Sequence, residues 1–187
     1  MISTSSSDEK LFETVRDQQN KTAFEIVVHR YEKKVYGLCY RLLNSREEAE
    51  DMAQEIFIKL WEHPSEWQPK AKFSTWLYRV ATNRCLNRMR FLKFKSFLSF
   101  NSEFEKYTAS EEQSPDLDLI SSEISKLFQQ SFLKLPERQK AALHLRYWEK
   151  LSVRDVSDVL DVTVKSAESL IYRGKKTLGE LLNSYNS

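Results

Sequence analysis

A basic, aromatic stretch near the middle of the chain carries the residue types that contact nucleic acid. Seven lysines and arginines and no acid lie between Ala71 and Phe100. At 100° per residue, five side chains fall on one helical arc of about 80°: Trp76, Arg79, Asn83, Asn87 and Arg90. Aromatic rings stack on bases, amides bind base edges and guanidinium groups bind phosphate. The pattern indicates single-stranded nucleic acid, although a buried Trp76 under a solvated basic face fits the same spacing.

A second nucleic-acid signal lies near the C-terminus, where two helical patterns flank a tight turn. Apolar positions of the second pattern repeat at spacings of 4, 3, 4 and 3 and define its buried side: Ala167, Ile171, Gly174, Leu178 and Leu181. Its other side carries basic and hydrogen-bonding groups: Lys165, Ser169, Tyr172, Arg173 and Lys176. This is typical of a helix-turn-helix whose second helix enters the major groove. Helix pairs with a basic outer face also occur without DNA binding.

A third candidate surface is an apolar helix face rimmed by acids. Asp51, Gln54, Glu55 and Ile58 point outward on one predicted helix, with Phe57 and Trp61 near the edges. Such a face suits a basic partner helix. Packing of Phe57 and Trp61 inside their own bundle fits the pattern at least equally well.

The sequence contains no residue set for catalysis or for a cofactor. The two cysteines and three histidines are scattered without zinc-ligand spacing. Three glycines in 187 residues leave no glycine-rich phosphate loop. We therefore expect no enzymatic activity, no cofactor and no metal.

The elements that position these residues are helices. Scarce glycine and proline argue against a β-sandwich or barrel, and we predict an all-α fold of two small helical domains. Helices are predicted at 21–43, at 45–62 with Ser45 and Glu48 as a capping box, from Phe73 or Ser74 to the lysines after Arg90, and at 136–149, 152–160 and 164–182.

An acidic segment separates the two predicted domains. Residues 101–120 hold six acids against Lys106 alone, with little periodicity. We predict domains at 1–95 and 123–187 joined by an acidic linker at 96–122. The N-terminus lacks the apolar core of a signal peptide, and no apolar run approaches the roughly 20 residues that span a bilayer. The expected location is the cytoplasm, without membrane insertion.

Four strings in order resemble the extracytoplasmic-function (ECF) group of bacterial sigma factors within the sigma-70 family. They are AEDMAQEIF at 49–57, FSTWLYRVATN at 73–83, LPERQ at 135–139 and LRYWEKLS at 145–152. The resemblance implies a region 2 helical bundle and a region 4 helix-turn-helix. It also implies two partners, promoter DNA and RNA polymerase core through its β′ clamp helices and β subunit.

The resemblance assigns a role to each candidate surface. Polymerase docking falls to four residues: Asp51, Gln54, Glu55 and Phe57. Reading and melting of the −10 element falls to five: Trp76, Arg79, Asn83, Arg84 and Asn87. The loop 63–72 matches the segment that holds a flipped-out base. The −35 element is read by five more: Lys165, Ser169, Tyr172, Arg173 and Lys176. The acidic linker would follow channels that polymerase uses for nucleic acid.

Three positions depart from the family pattern. Asp161 stands where a glycine usually makes the turn, and it adopts the left-handed conformation at modest cost. Glu168 and Leu170 replace residues that are basic in many relatives, which weakens the electrostatic part of DNA binding. We expect weakened or altered −35 reading, assisted by a second DNA-bound partner. Anti-sigma factors are common partners in the family, but no residue marks one.

Two other functions remain open at this stage. A helix-turn-helix regulator would bind palindromic duplex sites as a dimer and ignore polymerase. A helical adaptor or antagonist would bind protein alone and show no salt-dependent DNA binding.

Overall fold

A computed structural model describes residues 3–69, 72–98 and 122–185. Within these ranges the chain folds into eight α-helices and one short 3-10 helix, Pro64–Glu66. The α-helices are α1 Asp8–Gln18, α2 Lys21–Leu43, α3 Arg46–Glu62, α4 Phe73–Leu98, α5 Ser122–Leu133, α6 Glu137–Tyr147, α7 Val153–Leu160 and α8 Val164–Asn183. The acidic segment 101–120 lies outside the described residues. No helix in the described ranges is long and apolar enough to cross a membrane.

The sequence patterns locate most of these helices within two residues. Ser45 caps α3 as predicted, because its side chain accepts a hydrogen bond from the Glu48 backbone N–H. In a full capping box the Glu48 carboxylate would also accept from the Ser45 backbone N–H. Here the Glu48 carboxylate accepts hydrogen bonds from Arg88 on α4 instead. The patterns missed two helices, α5 and α1, and the apolar side of α1 is confined to Leu11, Phe12 and Val15.

Helices α1–α4 form one bundle around an aromatic cluster. The Phe12 ring lies 4.5 Å from that of Phe73, 5.8 Å from that of Trp67 and 5.9 Å from that of Trp76, measured between ring centroids. Phe12, Trp67 and Phe73 are fully buried. The missed helix α1 therefore supplies the central ring that supports the start of α4.

Helices α5–α8 form a second bundle that contains the helix-turn-helix. Asp161 ends α7 in the left-handed conformation, with φ at 52°. This confirms that an aspartate makes the turn. Thr163 then caps α8 by accepting from the Ser166 N–H. A β-carbon at Gly174 would lie 3.1 Å from the buried Leu143 side chain, so glycine is what lets α8 approach α6 closely.

The two bundles also contact each other. Helix α4 packs against α6 and α7, and α2 packs against α6. The apolar stripes predicted from the sequence pack inside each bundle. In addition, one face of α4 is covered by the other bundle.

Candidate nucleic-acid and partner interfaces

The predicted arc on α4 is a surface ridge, which we call the α4 ridge: Trp76, Arg79, Asn83, Asn87 and Arg90. Arg79, Asn83 and Asn87 are exposed on consecutive turns, and Arg90 donates to the Asn87 side-chain oxygen at 3.1 Å. The side chains at Leu77, Ala81 and Cys85 are buried, which turns the polar arc outward. One ridge thus presents cations and amides together.

The exposure of Trp76 lies between the two predicted alternatives, an open ring that stacks on bases and a buried core side chain. Trp76 is half-buried and lies against Phe12 and Phe73, 5.9 and 6.0 Å between ring centroids. Its indole is therefore fixed by the aromatic cluster while part of its surface remains open at the end of the ridge. A ring held in this way stacks on a base at a low cost in side-chain entropy.

Arg84 lies off the α4 ridge and joins two predicted sites. Its guanidinium is 3.1 Å from the Glu55 carboxylate on α3. Arg84 belongs to the predicted −10 set and Glu55 to the predicted docking set. The structure therefore ties together one residue from each.

The segment before α4 is built around Trp67. This side chain is fully buried and meets Phe12 edge to face at 87°. His63 at the start of the segment is exposed, while residues 70 and 71 lie outside the described ranges. Trp67 therefore packs the segment onto the aromatic cluster, and its buried ring is not available to stack on a base.

An apolar groove of about 900 Å³ runs between α2 and α3; we call it the docking groove. Its floor and walls are apolar and aromatic side chains: Phe24, Val28, Tyr36, Ala53, Phe57, Ile58 and Trp61. Trp61 is 36% exposed and its ring lies 5.1 Å from that of Phe24. Lys21, which lies 3.9 Å from the Glu25 carboxylate, and four acids rim the groove: Glu25, Glu32, Glu50 and Glu62. An apolar trough with an acidic rim suits a helix with apolar anchors and basic flanks.

The predicted docking residues of α3 stand at this groove and beside it. Phe57 and Gln54 line the docking groove, whereas Asp51 and Glu55 line a smaller hollow of about 450 Å³ toward α4. On that side the Glu48 carboxylate accepts two hydrogen bonds from the Arg88 guanidinium, at 2.6 and 2.5 Å. The hydrogen bonds from Arg88 lower the pKa of Glu48. The structure brings all four predicted docking residues together.

The predicted −35 residues lie together on the outer side of α8, here called the recognition face. Lys165, Tyr172, Arg173 and Lys176 are exposed, Tyr172 by 69%. Ser169 is half-buried, and its backbone carbonyl accepts from Arg173 Nε at 3.3 Å. This arrangement presents cations and hydrogen-bonding groups along one helix, as a major-groove reader requires.

The two departures on α8 differ in their surroundings. Glu168 is exposed on the same helix as the recognition face and places a negative charge beside its basic side chains. Leu170 is half-buried and packs against the core. Only the substitution at Glu168 therefore places an opposing charge in solvent.

A buried hydrogen-bond network between the two bundles escaped the sequence reasoning. The Tyr78 hydroxyl on α4 donates to the Glu149 carboxylate, whose other oxygen lies 3.2 Å from His144 Nε2 on α6. Burial lowers the pKa of His144, so the neutral ring donates to Glu149. Burial also opposes ionisation of Glu149, but the hydrogen bonds from His144 and Tyr78 bring its pKa below the ordinary value. No sequence spacing signals this network.

Metal ligands are not grouped in the described ranges. No cluster of three or more histidine, cysteine or acidic side chains there is arranged to hold an ion. Cys39 and Cys85 are buried free thiols whose sulfur atoms lie 3.5 Å apart.

Comparison with known proteins gives matches along both bundles. The family model described as Sigma-70 region 2 matches residues 27–94, and the one described as Sigma-70, region 4 matches residues 125–178. The chain is 34% identical over 169 residues to the ECF RNA polymerase sigma factor SigW of Bacillus subtilis, covering 87% of this chain and 90% of that protein.

Two solved structures share the fold. The sigma factor RpoE of Bartonella quintana, bound to the anti-sigma factor NepR, aligns with a TM-score of 0.70 at 20% identity, over 86% of this chain and 96% of that one. CnrH in complex with the cytosolic domain of CnrY aligns with a TM-score of 0.71 at 18% identity, over 96% and 99%.

Proposed function

The chain belongs to the ECF group of the sigma-70 family, and we propose that it places RNA polymerase core on promoters through three separate surfaces. Sigma factors bind polymerase core and promoter DNA in transcription initiation and are not enzymes. The assignment of individual residues is carried by one observation: Arg79, Asn83 and Asn87 stand exposed on a single ridge whose supporting side is buried. The domain limits 1–95 and 123–187, and action in the cytoplasm, are part of the proposal.

Polymerase core docks on the docking groove and on the adjoining residues Asp51, Gln54 and Glu55. The β′ clamp helices would supply apolar anchors for the groove and basic side chains for its rim. Truncation of Phe57 removes part of the groove wall, and anchor positions of this kind commonly dominate binding. We expect Phe57→Ala to lower affinity for core polymerase by about tenfold or more. Phe97→Ala, which truncates a phenylalanine 76% exposed on α4, serves as the matched control.

The α4 ridge captures the −10 element as a single strand. On the ridge, Trp76 supports a base by stacking, Asn83 and Asn87 bind base edges, and Arg79 holds phosphate. Arg84, which lies off the ridge and pairs with Glu55, adds a phosphate contact beside it. Base capture offsets part of the cost of unstacking, which is a few kcal/mol per step.

Promoter melting by Asn83→Ala tests this assignment. We expect permanganate reactivity of the −10 thymines to fall while core binding stays unchanged. Gln130→Ala, which removes an exposed amide on α5, is the control. Undiminished reactivity in Asn83→Ala would refute the role of this residue.

The recognition face reads the −35 element, with an affinity reduced by Glu168. Replacing this exposed acid by lysine changes the local charge by two units and adds one phosphate contact. We expect Glu168→Lys holoenzyme to bind −35 duplex more tightly and to steepen the salt dependence of log K by about one unit. An unchanged affinity and salt slope would show that Glu168 does not limit −35 reading.

Two partners beyond polymerase and promoter are part of the proposal. Both solved neighbours are complexes, one with the anti-sigma factor NepR and the other with the cytosolic domain of CnrY. This supports an anti-sigma factor as a regulator of the present chain. A second DNA-bound protein would compensate for weak −35 reading.

One experiment separates this function from a conventional operator-binding regulator and from a protein adaptor. Purified chain is combined with core polymerase and genomic promoter fragments, and transcripts are mapped. Specific initiation supports the sigma assignment. Duplex binding without polymerase affinity would favour the regulator, and protein binding without any DNA dependence would favour the adaptor.

A further inference from the structure

Three phenylalanines near the end of α4 present their rings to solvent. Phe91 is 53% exposed, Phe94 is 61% exposed and Phe97 is 76% exposed. Single exposed apolar side chains are ordinary on protein surfaces, but three large rings within seven residues form a patch. Packing inside the bundle does not account for this exposure, which indicates a surface that binds another molecule.

Two of these rings continue the α4 ridge. At 100° per residue, Phe94 and Phe97 fall inside the same arc of about 80° that holds the ridge residues. Phe94 follows Trp76 by 18 residues, which is about five full turns, and therefore stands in line with it. The extended ridge has Trp76 at one end, cations and amides along its middle, and two phenylalanines at the other end. These ends lie about 30 Å apart at 1.5 Å per residue.

Phe91 differs from the other two rings in its position and its surroundings. It lies about 80° around α4 from the centre of the ridge. The Arg88 guanidinium, which also donates to Glu48, lies 5.5 Å from the centre of the Phe91 ring. Phe91 therefore already has a partner within the chain, and it supplies a matched control for Phe94 and Phe97.

The charges around the two ridge phenylalanines favour a negatively charged ligand. Arg90, Lys93 and Lys95 lie on the same turns of α4, and residues 71–100 contain no acid. Glu137 on α6 reaches this end of the helix, where it pairs with Lys93 at 2.6 Å. Aromatic rings beside cations, in line with a row of amides, form the combination that binds single-stranded nucleic acid. An acidic protein or a lipid surface would make no use of the amides.

We propose that Phe94 and Phe97 form a second stacking site for unpaired bases, so that aromatic rings hold the DNA strand at both ends of the α4 ridge. This inference rests on the proposed function, because the ridge has to bind the −10 strand before its far end can extend that contact. Every base has a π-face, so stacking is tolerant of sequence. The second stacking site therefore adds affinity, while the amides in the middle of the ridge provide base selectivity.

Holoenzyme made from core polymerase and the full-length chain tests the second stacking site. The probe is a single-stranded oligonucleotide that carries the −10 region of a promoter mapped on genomic fragments, with flanking bases on both sides. We expect Phe94→Ala and Phe97→Ala each to raise the Kd for this oligonucleotide by about fivefold or more. Phe91→Ala should leave it unchanged. The slope of log K against log salt should not change in any of these variants, because no cation is removed.

Two further substitutions separate stacking from a general apolar contact. Phe94→Trp keeps a planar ring and should retain the wild-type affinity. Phe94→Leu keeps an apolar side chain without a ring and should lose affinity as the alanine variant does. The fluorescent base 2-aminopurine, placed at each position of the oligonucleotide in turn, locates the contact because stacking quenches it. We expect the position quenched through Phe94 to lie several nucleotides from the one quenched through Trp76.

The outcomes separate this inference from the proposed function. Wild-type affinity in both alanine variants would overturn the second stacking site. Full affinity in Phe94→Leu would overturn it as well, since the patch would then make an apolar contact without stacking. Trp76→Ala and Asn83→Ala report on the rest of the ridge. Normal binding by these two variants would contradict the proposed −10 role, whereas weak binding by them and normal binding by Phe94→Ala and Phe97→Ala would refute the second stacking site alone.

Discussion

The aromatic cluster beneath α4 makes a quantitative prediction for Phe12, the ring that the missed helix α1 contributes. Phe12→Ala removes a fully buried side chain that meets Trp67, Phe73 and Trp76. Truncation of a buried phenylalanine costs about 3–5 kcal/mol. Loss of the aromatic pairs, each about 0.5–1.5 kcal/mol beyond area burial, favours the upper end of that range.

Urea unfolding followed by tryptophan fluorescence measures this cost. With a loss of about 4 kcal/mol and an m-value of about 2 kcal/mol/M, the midpoint should fall by about 2 M. Phe94→Ala truncates the same residue type where it is 61% exposed, and we expect a change within about 0.5 kcal/mol.

The variant also tests how α1 supports function. Trp76 loses one of its two ring contacts, so promoter melting should weaken under conditions where Phe12→Ala is still folded. A stability loss below about 1 kcal/mol would refute the central position of Phe12 in the cluster. If the variant loses much of its stability but its folded form melts promoters normally, Trp76 does not contribute to DNA reading.

Three further predictions concern the packing and protonation of the described residues. Gly174→Ala should be less stable than Gly179→Ala by about 1–3 kcal/mol in chemical denaturation, because a β-carbon at Gly174 meets a buried leucine at 3.1 Å whereas one at Gly179 meets nothing within 4 Å. The free energy of unfolding should fall as pH drops below 6.5, because His144 is protonated in the unfolded chain while burial lowers its pKa in the folded protein. His144→Gln should reduce this dependence of the unfolding free energy on pH. An unchanged pH dependence in the variant would contradict the assignment to His144. Cys39 and Cys85 should react with thiol reagents only after denaturation, because burial and their mutual contact raise the pKa of Cys39; rapid labelling of native protein would contradict their burial.

The helices of this chain were largely predictable because their periodicity and caps are local properties. The arc of about 80° on α4 predicted the exposure of Arg79, Asn83 and Asn87, and the structure confirms it. Helix α1 was missed because three apolar positions within a polar, serine-rich segment resemble a disordered terminus until their tertiary partners are known.

Long-range pairing could not be derived from spacing. Tyr78 and Glu149 are 71 residues apart, and neither residue type marks a buried position. The docking groove is similarly a product of two helices, since Phe24 on α2 completes a wall that α3 alone only suggests. The choice of Glu48 between its own helix cap and Arg88 depends on where α4 lies, which no local pattern encodes.

The positions of the glycines bear on how far this protein stands from its stability limit. All three glycines, Gly37, Gly174 and Gly179, lie inside helices, while the left-handed positions among the described residues are held by Gln19, Asn44, Lys150 and Asp161. A left-handed residue other than glycine costs roughly 1–2 kcal/mol, less for asparagine and aspartate. Glycine at Gln19 and Lys150 would relieve this strain, partly offset by a more flexible unfolded chain. Glycine substitutions at these turns could therefore raise the free energy of unfolding, by engineering or by selection, without changing any DNA-reading or docking residue.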